Sequence, residues 1–179
     1  FVAEVNAAIG ARTLAFDGTT LTFTATSDGD TMADLVISLD ATADGLVEAD
    51  EDYTVDLASA ASSSGDVTGT GSQTTTITSA DTGAWSLAGD ASVAEGSAAS
   101  YTVSLSGSYG AGETASIDLT LSDVDTTSAD YANFVAAVNA AIGTRTDLAF
   151  DGTTLTFSAT NDGDTMADLV VSLDATADG

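Results

Sequence analysis

A 45-residue stretch occurs twice in this chain, and no other feature restricts its fold as much. Residues 1–45 (FVAEVNAAIGARTLAFDGTTLTFTATSDGDTMADLVISLDATADG) return as residues 134–179 (FVAAVNAAIGTRTDLAFDGTTLTFSATNDGDTMADLVVSLDATADG). Forty of the 45 aligned positions are identical, and one residue, Asp147, is inserted in the second copy. The offset is 133 residues before the insertion and 134 after it, so the sequence covers one period and about a third of the next. A period near 134 is too long for a solenoid unit and implies a string of bead-like domains. On this phase, residues 1–84 are the back of one repeat and residues 85–179 the front of the next, with a joint near Ser79–Gly83.

Apolar periodicity predicts mostly strands, with one short helix in each period. YTVSL (101–105) and ASIDLTL (115–121) alternate apolar and polar residues, as half-buried strands do, and the Gly-rich stretch 107–112 joins them. Ser128, Ala129 and Asp130 offer a helix start, Tyr131, Phe134, Val135, Val138 and Ile142 fall at helical spacing, and Gly143 ends the run. Asp151-Gly152, and Asp17-Gly18 in the first copy, read as type I′ hairpin turns between short apolar runs. Further strands are expected near 33–39, 52–57 and 74–78, with Trp85 a core or inter-domain packing residue. Sheets cut at a repeat boundary have unpaired edges, so flanking sequence or neighbouring chains are expected to complete them.

Composition narrows the functions. The chain has 28 acidic and two basic residues, a net charge of −26, and neither His nor Cys. Nucleic-acid binding needs clustered cations, and the only ones present are Arg12 and Arg145, so no nucleic-acid partner is expected. His/Cys zinc sites, Ser-His-Asp or Cys-His catalysis and disulfides are excluded by residue type. With 44% hydrophobic residues the chain has material for a core. No apolar run reaches membrane-span length, so no membrane insertion is expected, and without a leader the chain reads as an interior segment of a longer soluble protein.

The chemistry that remains is carboxylate chemistry. Asp40, Asp44, Glu48 and Glu51 stand at positions 1, 5, 9 and 12 of a loop with Gly45 at position 6, close to an EF-hand. Thr42 breaks the pattern at position 3 and both flanks read as strands, so calcium held between strands is the expectation in place of an EF-hand. Crowded anions repel one another unless a cation or water screens them. Asp28-Gly29-Asp30 and Asp162-Gly163-Asp164 read as turns. Arg12 and Arg145, just past the helix, read as partners of its C-terminal end or of a nearby acid. The threonine runs 19–24 and 74–78 fit strand preference, without the regular ranks of an ice-binding face.

The segment DGLVEADEDYTVDL (44–57) resembles the acidic-loop-then-strand signature of Calx-beta domains, calcium-binding β-sandwiches of exchangers and of giant bacterial surface proteins. VAEG (93–96) resembles the opening segment of that family, and LSDVDTTSADY (121–131) its threonine-rich segment ending in Asp-Tyr. The stretch from about 132 to 151 departs from it as an insertion. The resemblance implies an all-β fold of antiparallel Ig-like or Calx-beta-like sandwich repeats, each with one inserted α-helix. It also implies Ca2+ at one end of each sandwich. Carried onto this sequence, the calcium ligands would be Glu95, Asp123 or Asp125, and Asp130 from the front of a repeat, and Asp40, Asp44, Glu48 and Glu51 from the back. Completing the site within this window calls on Asp174 and Asp178 and on residues beyond them.

The expected function is a non-enzymatic structural repeat of a long extracellular, cell-surface bacterial adhesin or filament of the RTX type. Calcium would stiffen it, with neighbouring repeats of the same or identical chains as partners and filament self-assembly as a possible outcome. The competing readings are a glycan- or protein-binding module, for which an aromatic content of 6% is low, and an acidic surface that serves only solubility.

Overall fold

A computed structural model describes residues 1–177, so Asp178, one of the nominated ligands, lies outside the described residues. The chain divides into two compact units, Phe1–Thr42 and a second from Ala43 onward. The repeat-phase division at 84/85 falls inside the second unit. Both units are built from small antiparallel sheets, with one short helix in each.

The first unit holds helix α1 (Val2–Ile9) and strands β1 (Leu14–Phe16) and β2 (Leu21–Phe23). Val5 and Ile9, one helical turn apart, are its buried residues, and Phe1 meets Phe16 edge-on with ring centroids 6.1 Å apart. The β1–β2 pair is not closed by a type I′ turn. That turn needs positive φ at two central residues, and among non-glycine described residues only Ser59 has it. Instead, four residues span the gap between Phe16 and its partner Leu21, and Asp17 Oδ1 accepts the Thr19 and Thr20 N–H groups at 2.9 and 2.7 Å. The Asp151 loop repeats this arrangement. The strand expected over 33–39 does not form; residues 31–44 are irregular.

The second unit begins with β3 (Glu51–Leu57) and β4 (Gly71–Ile77), a largely exposed hairpin. Cross-strand threonines tie it together, Thr54 to Thr74 at 2.8 Å and Thr76 to Asp52 at 2.6 Å. Next come β5 (Trp85–Gly89), β6 (Ala98–Leu105), β7 (Thr114–Asp118), helix α2 (Phe134–Ile142), β8 (Leu148–Phe150), β9 (Thr154–Ser158) and β10 (Leu169–Asp174). One sheet has the order β10-β6-β5 and the other β7-β9-β8. The Gly-rich stretch 107–112 therefore does not close a hairpin: β6 and β7 lie in different sheets.

Alternation sets which residues face inward. Leu169, Val171 and Leu173 of β10 are buried and the residues between them exposed; their partners on β6 are Val103, Tyr101 and Ala99. Leu155 and Phe157 of β9 point inward from the other sheet, and Val138 and Ile142 come from α2. Leu169, Val171, Val103, Leu155, Phe157, Val138 and Ile142 form one core with Leu105, Tyr109, Leu148 and Met166, in which Tyr109 and Phe157 meet edge to face at 5.5 Å. Helix α2 starts three residues later than Tyr131, because Asn133, not Ser128 or Asp130, caps it: Asn133 Oδ1 accepts the Ala136 N–H at 2.9 Å.

Candidate functional site

The described acids nominated by sequence in the second unit fall into two groups. The first gathers around the end of β10. Ala175, next to Asp174, donates its N–H to the Ser97 carbonyl at 2.8 Å and accepts the Gly96 N–H at 2.9 Å, which brings in the segment carrying Glu95. On the other side Ala132 donates to the Asp174 carbonyl and Thr176 to the Asp130 carbonyl, both at 2.8 Å. The strand end is thus clasped between the segments bearing Glu95 and Asp130. Asp123 joins them through Tyr131, whose hydroxyl donates to Asp123 Oδ1 at 2.8 Å. That bond to an anion holds the Tyr131 phenol above its usual pKa. Asp130 Oδ2 is occupied locally, accepting Thr127 N–H at 2.7 Å and Thr127 Oγ1 at 3.1 Å. Asp125 is exposed in the turn between Asp123 and Asp130.

The second group surrounds Glu48. Val47 lies beside Tyr109 as a short parallel bridge, its N–H on the Ser108 carbonyl at 2.7 Å and its carbonyl accepting the Gly110 N–H at 3.3 Å. The Glu48 side chain lies close over Gly110, where a Cβ would sit 2.8 Å from Glu48 Oε1 and push that carboxylate aside. Docking of this segment desolvates Glu48 and places Asp44, Glu51, Asp162 and Glu113 around it, and both effects raise its pKa above the ordinary glutamate value. Glu113 and Asp162 were not nominated from sequence. Glu113 Oε1 accepts the Ala49 N–H at 3.3 Å, and Asp162 Oδ1 the Ala111 N–H at 2.8 Å. No spacing rule ties Glu113 or Asp162 to Glu48; the fold brings them together. Asp40 belongs to the first unit, exposed at the end of its irregular segment.

Five further charged positions hold the local structure. Asp30 and Asp164 close the Asp-Gly-Asp turns: Asp164 Oδ2 accepts the Thr160 and Asn161 N–H groups at 2.8 and 2.9 Å, and Asp30 does the same with Thr26 and Ser27. These donors hold both carboxyls below the usual aspartate range. The inserted Asp147 grips Arg145 through both oxygens, at 2.6 and 3.1 Å. Arg145 also donates to the Ala167 carbonyl at 2.9 Å, and Arg12 donates to the Asp34 carbonyl at 2.7 Å, so each arginine holds the segment ahead of the last strand position of its own copy.

Chemically, both groups offer only carboxylate, hydroxyl and carbonyl oxygens, the donor set that calcium takes. Among the described residues no three carboxylates converge closely enough to hold a metal ion, and no helix is long and apolar enough to cross a membrane. Comparison with protein-family models, with curated proteins and with solved structures gives no match to this chain.

Proposed function

We propose that this chain is a structural segment of a long extracellular bacterial surface adhesin or filament, made of tandem Calx-beta-like or Ig-like β-sandwich repeats that calcium stiffens. One observation carries the reading. The acid-rich segment between the repeat copies is docked by its backbone onto the Tyr109 turn, which partly desolvates Glu48 within the field of four other carboxylates. A divalent cation would relieve that repulsion only while the segment stays docked, so it would lock one repeat front to the preceding repeat back. In the same reading Glu95, Asp123, Asp130 and Asp174 are the donors at the other group, with Asp125 and Asp178 completing it, and Asp40, Asp44, Glu48 and Glu51 serve the linker. The role is mechanical and non-catalytic, and its partners are further copies of the same repeat.

The test is a thermal melt of the chain, followed by Trp85 fluorescence, in millimolar calcium, in magnesium and in chelator. Calcium should raise the midpoint by several degrees and magnesium much less, because magnesium dehydrates reluctantly and demands stricter geometry. Equal midpoints in all three would leave the acids as solvated surface. A second reading, a glycan- or protein-binding module, draws on an open hollow of about 420 Å³ that Tyr131, Phe134, Thr120 and Ser128 help to line. A glycan array signal lost in Tyr131→Ala would favour it.

A further inference from the structure

We infer that the first unit is a docking face for a second copy of the segment Trp85–Asn133. The inference stands apart from calcium and adhesion, since it rests on the two repeat copies alone. In the second unit, residues 134–177 are covered by this segment: β6 pairs with β10 over six residues and β7 with β9 over five. Residues 1–42 are the same sequence without that cover. There β2 pairs with β1 alone, and Leu35–Asp40, the counterpart of β10, forms no strand.

The cost of the missing cover is visible residue by residue. Leu21 is 38% exposed where its counterpart Leu155 is 0%, and Met32 is 45% exposed where Met166 is 6%. Val36 and Val170 are exposed in both copies, as an outward strand position should be. The first unit therefore presents a row of inward-type apolar residues, Leu21, Phe23, Met32, Leu35, Ile37 and Leu39, whose natural cover is known from the second copy. Transferring the observed register pairs Leu35 with Val103, Ile37 with Tyr101 and Leu39 with Ala99, and Leu21 with Ile117. The helix carries the same mark. Asn133 caps α2 from just ahead of Phe134, whereas α1 begins one residue later, at Val2, with Phe1 at its cap position and no side-chain cap; an incoming Asn133 would stand just ahead of Phe1, where its counterpart caps α2. The chain's own segment is engaged by the second copy, so the occupant is another copy of it. Of the five substitutions between the copies, Glu4 in place of partly buried Ala137 is the only one that changes charge, the inserted Asp147 being the other charged difference.

The experiment titrates isotope-labelled full-length chain with unlabelled polypeptide 85–133 in chelator. Binding should saturate at one polypeptide per chain, and amide exchange over Leu35–Asp40 should slow on the order of a hundredfold as a strand forms there. Ile37→Asp should abolish the slowing and Val36→Asp should preserve it; neither residue lies in a helix or strand of the first unit, and unchanged exchange in α1, β1 and β2 of the free variants checks that its fold is kept. A second form, with 85–133 fused directly ahead of Phe1 of the full chain, avoids dependence on polypeptide solubility: the Met32 methyl resonance should move to the buried environment of Met166. Unchanged exchange at 35–40, equal effects of the two substitutions, or an unmoved Met32 would overturn the inference. So would the same protection arising in the chain alone as its concentration rises, which would assign the face to a whole second chain.

Discussion

Leu21 and Leu155 sit in the identical sequence FDGTTLTF, which makes them a controlled comparison of local sequence against tertiary partner. Leu155 is fully buried, opposite Ile117 of β7 and within the core shared by both sheets and α2. Truncating a buried leucine removes its transfer free energy and leaves a cavity that relaxes only in part, at a cost of about 3 kcal/mol. For a unit of this size each kcal/mol moves the midpoint by roughly 3 °C, so Leu155→Ala should lower it by about 10 °C. Leu21 already leaves over a third of its surface in water, so the same change there should cost less than about 1 kcal/mol. The chain has one tryptophan, Trp85, packed against the core of the second unit, and its fluorescence reports that unit alone. Leu155→Ala should therefore shift the Trp85 melt and Leu21→Ala should leave it in place. Equal shifts, or none from Leu155→Ala, would refute the claim that β7 and its neighbours decide the state of this sequence.

Three further outcomes are expected. Asp147→Ala breaks a two-oxygen grip on Arg145; with side chains 24% and 35% exposed the pair is largely screened and should contribute about 0.5–1 kcal/mol at neutral pH. Because Arg145 holds the Asp147 pKa below the aspartate norm, that contribution is complete above the ordinary value and disappears as pH falls through the lowered one, so urea midpoints of variant and parent should converge in acid. Glu48 has the opposite sign: its raised pKa penalises the folded state above that value, and the penalty fades as pH drops toward the ordinary glutamate value. Glu48→Gln should accordingly stabilise the second unit at pH 7 in chelator and reduce any calcium-induced rise in its melt; a variant less stable than the parent at pH 7 would contradict this. Asn133→Ala removes the α2 cap and should cost about 1 kcal/mol, seen as faster amide exchange in the first turn of the helix.

The strands and helices most legible in the sequence were those with a strong period and a partner inside the chain. YTVSL and the Phe134–Ile142 run alternate or recur as their buried faces require, and each is found in the expected state; DLVVSL, the second copy of the 33–39 pattern, forms β10. Leu35–Leu39 carries the same alternation as 169–173 and is irregular, because period records which face would be buried and is silent on whether anything lies opposite. Strand β5 gave almost no signal: Leu87 is exposed, and Gly89 lies under the Tyr101 ring, where any Cβ would overlap it. The Asp-Gly turns were misread for a local reason. Their threonines let the Asp side chain bond two backbone N–H groups, which stabilises a four-residue loop without positive φ at Asp.

The acids were harder to place than the strands, since charge has no period. Sequence spacing grouped Asp44, Glu48 and Glu51, and after desolvation Asp44 and Glu51 do act most strongly on Glu48; what spacing missed is the added effect of Asp162 and Glu113, which come from the β9–β10 and β6–β7 connections. Those connections meet because Tyr109 is bridged on both sides, to Val47 and to Asp164, and Tyr109 is itself fixed by the core ring of Phe157. The desolvation of Glu48 and the share of its crowding that Asp162 and Glu113 add are thus consequences of apolar packing, with the backbone bridge carrying them to the surface. Loosening the core should relax the acids: Phe157→Ala should bring the Glu48 pKa back toward its ordinary value, measurable by carboxyl chemical shifts. A Glu48 pKa unchanged in a variant whose Tyr109 has moved would mean that local sequence alone sets the repulsion.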